Sequence, residues 1–132
     1  MAHSIKVKIY YEDTDAGGVV YYANYLRYME RARTEFLAEK GINIAQFHAE
    51  GLFFVVTHVD ISYKRPARLG EIIDVTTEVA EMKKASMTIL NRVCKEGFVM
   101  VEALVTIACI DKDGRPKRLP ESFMAVKEPE KS

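Results

Sequence analysis

Between Phe53 and Ile110 the chain runs through four stretches of period-two hydrophobicity joined by short connections, and this pattern limits the fold more than any other feature. Phe53, Val55, Val59, Ile61 and Tyr63 are expected on one face of the first stretch, with His58, Asp60, Ser62 and Lys64 opposite. Pro66 and Gly70 break that run, and Ile73, Val75, Thr77 and Val79 carry the second. Lys83-Lys84 marks a reversal before Met87, Ile89 and Val93, and Lys95-Glu96-Gly97 marks another before the apolar run from Phe98 to Ile110. Strands joined this closely pair antiparallel, because a parallel pair needs a crossover. Asp111-Lys112-Asp113-Gly114 then supplies a strong turn signal.

Upstream, Ile5, Val7 and Ile9 alternate with Lys6, Lys8 and Tyr10, which predicts a further half-buried strand. From Tyr21 to about Gly41 the period becomes helical, with Tyr25, Met29, Ala32 and Phe36 on one face. Arg27, Arg31 and Glu35 lie on another, where Arg31 and Glu35 are spaced for an ion pair. Gly41 is a natural stop, and a shorter helical piece is expected over 42–50. One long helix against one antiparallel sheet is an α+β two-layer domain, here a single domain over 1–132. Such a sheet has two edge strands to protect. The 98–110 strand is also apolar on both faces, so edge pairing with a second copy is expected.

Composition mainly excludes. Lys and Arg number 19 against 19 Asp and Glu, so no net field recruits nucleic acid or an anionic membrane. Cys94 and Cys109 sit in apolar runs without CxxC spacing and read as small buried hydrophobes. No stretch has the length of a signal peptide core or a membrane span, so a cytoplasmic protein without membrane insertion is expected. The charged tail after Lys127 is expected to fray.

The chemistry concentrates between Tyr10 and Leu37. Asp13 and Asp15 stand where the first strand ends, Gly17 and Gly18 follow, and a helix begins. A carboxylate at the mouth of a helix lies beside unpaired N–H groups and the positive end of the helix dipole, which suits acyl-group hydrolysis. Asp15 has a blander reading as a turn aspartate, which the local residues leave open; against it, Asp13 and Thr14 could serve that purpose, and the two glycines admit close approach of a ligand. Asp13 reads as structural. Tyr25 reads as core by its spacing, whereas Tyr22 offers a backbone N–H well placed as an oxyanion donor. Asn24 could cap the helix or fix the turn, and Glu30 reads as an ion-paired surface residue among Arg27, Arg31 and Arg33. His3, His48 and His58 have no metal-site spacing. Lys64, Arg65, Arg68, Lys83, Lys84, Lys117 and Arg118 cluster at strand ends, as a solvated face or as a rest for a phosphate-bearing carrier.

The run Glu12-Asp13-Thr14-Asp15-Ala16-Gly17-Gly18-Val19-Val20-Tyr21-Tyr22-Ala23-Asn24-Tyr25, with Glu30-Arg31-Ala32-Arg33 beyond it, resembles the signature of hot-dog-fold acyl-CoA thioesterases. The resemblance falls in the 4-hydroxybenzoyl-CoA thioesterase group, nearest the YbgC type. Phe54-Val55-Val56, Tyr63, Pro66-Ala67-Arg68-Leu69-Gly70-Glu71 and Arg118-Leu119-Pro120 agree with it. It implies an antiparallel sheet wrapped around one long helix, in homodimers that often pair into homotetramers. It also implies hydrolysis of an acyl-CoA thioester without metal or cofactor, with Asp15 as general base or nucleophile and the Tyr22 N–H polarising the carbonyl. Gly17, Gly18, Val19, Tyr25, Arg65, Arg68 and Arg118 are then expected to contact substrate. Several relatives of that type carry His where this chain has Tyr22, so only the backbone role transfers. An acyl carrier protein thioesterase and a non-catalytic acyl-binding or scaffold protein remain alternatives. A Mg²⁺-dependent phosphatase would need a doubly wound domain that this pattern lacks.

Overall fold

The structure is a computed structural model that describes residues 3–126. The charged tail after Lys127 lies outside the described residues. Strand β1 (His3–Lys8) leads through a 3₁₀ turn at Tyr11–Asp13 to helix α1 (Asn24–Glu39) and the short helix α2 (Ile44–Ala49). Strands β2 (Leu52–Tyr63), β3 (Ile72–Met82), β4 (Ser86–Lys95) and β5 (Phe98–Asp111) follow, and a single helical turn, α3 (Glu121–Met124), comes last. Among the described residues the strands form one antiparallel sheet in the order β1-β3-β4-β5-β2. The expected strand boundaries hold closely, and α1 begins three residues later than the helical period suggested.

Period-two patterning sets which side chains face α1. Rows such as Ile5–Val75–Val93–Val101–Tyr63 and Val79–Ile89–Val105–Val59 run across the sheet from strand to strand. Against them α1 buries Tyr25, Tyr28, Met29, Ala32, Arg33, Phe36 and Leu37, the helical stripe read from the sequence plus its neighbours. Each of the larger apolar side chains stabilises by roughly 1.5–3 kcal/mol through burial. Three polar side chains join this core, Arg33, Thr77 and Asn91.

The expectation for β2 needs one correction. Thr57 is an extra residue, because Val56 pairs with Ile107 and His58 with Thr106. This bulge switches the parity of the strand. Phe54 and Val56 therefore share the inner face with Val59, Ile61 and Tyr63, while Phe53 and Val55 lie on the other. Phe54 stacks on Phe123 at 5.1 Å between centroids, a contact that ties the unanticipated α3 turn to the sheet. The expected Arg31–Glu35 pair is not formed among the described residues; the Arg31 guanidinium sits 5.6 Å over the Tyr28 ring instead. Nor does Glu30 pair within 4.0 Å of an arginine among those residues.

Candidate active site

Residues 14–20 form a small hairpin. Thr14 bridges Val20, the Asp15 N–H donates to Val19 O at 2.9 Å, and Gly18 N–H donates back to Asp15 O at 3.0 Å. The turn needs Gly18 at a φ of 80°, a conformation that L side chains rarely adopt. The Asp15 carboxylate is exposed, and its Oδ1 accepts the Gly17 N–H at 2.9 Å.

The segment Pro66–Glu71 clamps this hairpin from the far side. Val20 N–H donates to Ala67 O at 2.9 Å, Leu69 N–H donates to Gly18 O at 3.1 Å, and Val19 bridges Arg68. Ala67 is fully buried, and its own N–H donates to the Tyr25 hydroxyl at 2.9 Å. Glu71 closes the segment by accepting Arg68 N–H on Oε1 at 2.8 Å, and its backbone accepts Ile9 N–H. Tyr25 is therefore both core and site support: one ring of α1 fixes the loop that fixes the hairpin.

Asp13 works from the other side. Its Oδ2 accepts the Tyr10 N–H at 2.8 Å, and its carbonyl accepts Tyr21 N–H at 3.0 Å and Asn24 Nδ2 at 2.9 Å. Asn24 thus fixes the turn rather than capping the helix. No side chain caps α1, and among the described residues the N–H groups of Tyr22 and Ala23 donate to no acceptor. Open N–H groups at a helix start carry the positive end of the macrodipole.

Beside that helix start lies a cleft of about 210 Å³ lined by Val20, Tyr22, Tyr25, Tyr63, Lys64, Arg65 and Pro66. Tyr63 stands edge-on to Tyr22 at 6.2 Å, and its hydroxyl donates to Tyr22 O at 3.4 Å. Burial pushes the Tyr25 and Tyr63 phenols above the ordinary range. The Tyr28 phenol is raised as well, by burial and then by the nearby Asp13 carboxylate.

The structure brings most of the expected residues together. Gly17, Gly18 and Val19 form the hairpin with Asp15, Tyr22 and Tyr25 wall the cleft, and Arg68 pairs with the hairpin. Arg65 lines the cleft with its guanidinium 4.3 Å over the Phe98 ring. Asp15 is not on the cleft wall itself. Arg118 is not part of this group: it lines a separate depression with Lys83, Lys84 and Glu121. Tyr63 on the cleft wall and Ala67 in the clamp are not among the expected contacts, although their place in the Tyr63 to Glu71 resemblance was the signal that could have found them. Among the described residues no three His, Cys, Asp or Glu side chains gather as a metal site.

Residues 10–126 match the family model described as the thioesterase-like superfamily. The acyl-CoA thioester hydrolase YbgC of Escherichia coli is 40% identical over 121 residues, covering 90% of each chain. The acyl-CoA thioesterase YbgC of Haemophilus influenzae is 42% identical over 127 residues, 93% of this chain and 92% of that one. Among solved structures, a probable thioesterase from Bartonella henselae superposes with a TM-score of 0.86 at 36% identity, over 91% of this chain and 100% of that one. With its five-stranded antiparallel sheet against one long helix in the hot-dog arrangement, the chain belongs to the thioesterase-like superfamily.

Proposed function

We propose that this protein hydrolyses the thioester of an acyl-CoA to a free carboxylic acid and CoA. The observation that carries the reading is the exposed Asp15 carboxylate on a doubly clamped hairpin leading into a helix that is preceded by two open N–H groups, those of Tyr22 and Ala23. Relatives at 40–42% identity that bear the names of acyl-CoA thioester hydrolases support it.

In this mechanism the Tyr22 N–H and the start of α1 hold the thioester carbonyl as negative charge develops on its oxygen. A single donor of this kind contributes about 3–4 kcal/mol to a transition state. Asp15 takes a proton from an attacking water or attacks the carbonyl carbon itself. In the first case the tetrahedral intermediate expels the CoA thiolate directly. In the second the C–S bond breaks and CoA thiolate leaves as a mixed anhydride forms, and water then cleaves the anhydride to the free acid and the Asp15 carboxylate. A carboxylate is a weak base, so position and exclusion of water supply most of the rate. The aromatic wall of Tyr22, Tyr25 and Tyr63 receives the acyl end, with Lys64, Arg65 and Arg68 towards the phosphates of the carrier. The Arg118 depression lies apart from these residues, and its substrate contact belongs to a second copy or to none. We read the chain as one cytoplasmic domain that works as a homodimer or homotetramer, with acyl carrier protein as the alternative thioester carrier.

The test is thiol release from a panel of acyl-CoA thioesters, acetyl to palmitoyl with an aromatic member, for wild type and Asp15→Asn. The variant should keep its fold and lose about a hundredfold or more in kcat. An active, folded Asp15→Asn would overturn the assignment. A folded wild type inert on every CoA ester would turn the case to acyl carrier protein thioesters or to a binding role.

A further inference from the structure

A second cavity, of about 100 Å³, lies between α1, α2 and β2, and it joins an apolar wall to a buried cation. Leu37, Ile44, Phe54, Val56, Ile107 and Phe123 make most of the lining. Arg33 opens onto the same space, although only 8% of the residue is exposed. Its one hydrogen bond among the described residues is long, from Nη1 to Asn91 Oδ1 at 3.4 Å. Asn91 cannot turn to improve it, because its Nδ2 donates to Thr76 O and Thr77 Oγ1, both at 3.0 Å. No carboxylate of the described residues lies within 4.0 Å of Arg33. Glu30 is exposed at the rim and acts on Arg33 only from longer range.

A guanidinium has five N–H donors in a planar fork that matches a carboxylate. Buried with so few of them used, it is poorly compensated, and burial already weakens its hold on its proton. The remaining walls offer nothing polar except Thr34 and Glu30 at the mouth. An apolar cavity of about 150 Å³ accepts benzene, so the space here suits a tail of about three carbons.

We propose that this cavity binds a short aliphatic monocarboxylate such as butyrate, its carboxylate on the Arg33 guanidinium and its tail against Leu37, Phe54 and Phe123. Arg33 lies nine residues beyond Asn24, so the site is about 14 Å along α1 from the helix start. It is separate from the Asp15 hairpin and does not rest on the proposed catalytic role of Asp15.

Isothermal titration calorimetry with butyrate and with butyramide, its uncharged counterpart, tests the proposal on the full-length protein. Wild type should bind butyrate at least about tenfold more tightly than butyramide, because only butyrate offers a charge-assisted pair. Arg33→Met should weaken butyrate at least about tenfold. Ile44→Phe, which fills the cavity from a half-buried position, should abolish binding, so the test stands even if Arg33→Met does not fold. Asp15→Asn should bind butyrate as wild type does. Absence of butyrate binding, equal binding of the amide, or full binding by folded Ile44→Phe would overturn the site. Loss of binding in Asp15→Asn would overturn it too, by placing the acid at the hairpin.

Discussion

The carbonyl of Asp13 accepts two donors, Tyr21 N–H at 3.0 Å and Asn24 Nδ2 at 2.9 Å, and so ties the turn after β1 to the first residue of α1. Tyr22 and Ala23 lie between those anchors, which fixes the direction of their open N–H groups. Asn24→Ala removes the side-chain anchor and leaves the Tyr21 bond in place. It should cost about 1 kcal/mol of stability, the usual worth of such a hydrogen bond. If the Tyr22 N–H polarises the thioester, kcat should also fall about tenfold with KM little changed, since a small misplacement of a transition-state donor is expensive. Steady-state kinetics beside a denaturation curve check both effects; an unchanged kcat would mean that Asn24 serves stability alone. Residue identity made much of this legible. Two aspartates, two glycines and a helix onset within a dozen positions announce a built turn. The choice between capping and bracing for Asn24 was not legible, because both use the same side chain and differ only in which acceptor comes within reach.

Among the elements, β4 and β5 carry an ion pair on the outer face of the sheet, Arg92 Nε to Glu102 Oε2 at 2.7 Å, with Lys64 Nζ 3.9 Å from Oε1. The hydrogen bond from Arg92 holds the Glu102 carboxyl below its ordinary range. A carboxyl depressed by folding stabilises above its unfolded value of about 4.3 and loses that contribution as pH falls through the folded value. Both side chains are about a third exposed, at 38% and 34%, so solvent screening keeps the contribution below about 1 kcal/mol. Glu102→Gln should therefore lower the denaturation midpoint at pH 7, and the gap to wild type should narrow as pH falls through the folded value of the carboxyl. A gap of equal size at neutral and acid pH would assign the loss to packing instead of charge. The elements themselves were the most legible level, since each β-strand announces itself by its period. What the period cannot announce is a bulge. One inserted residue, Thr57, moves Phe54 and Val56 to the inner face, and only the pairing with β5 reveals it. The α3 turn was hidden for a related reason: four residues are too few to show a helical period, and Phe123 is held by Phe54 and Phe47 from elsewhere in the chain.

For the whole molecule the sheet order leaves two unequal edges among the described strands. β1 is six residues long and carries Lys6 and Lys8, the short and charged edge that discourages further pairing. β2 is twelve residues long and carries Val55 at 36% and Val56 at 49% exposure, with no Asp, Glu, Lys or Arg from Leu52 to Val59. A free edge of that length and character in a stable protein calls for a partner, and a two-fold pairing of β2 with itself extends the sheet antiparallel without a new surface. The cleft beside Tyr63 lies at one end of that edge, so a second copy would also cover it and exclude water from the proposed chemistry. The double variant Val55→Lys/Thr57→Lys places like charges along the edge at two exposed positions, neither of which lines the cleft or the Arg33 cavity. Sedimentation should find wild type as a dimer or tetramer and the variant as monomer, with turnover reduced at least about tenfold in the monomer because the cleft is open to water. A wild type that sediments as a monomer and hydrolyses thioesters would place the whole site within one chain and leave β2 free for another purpose.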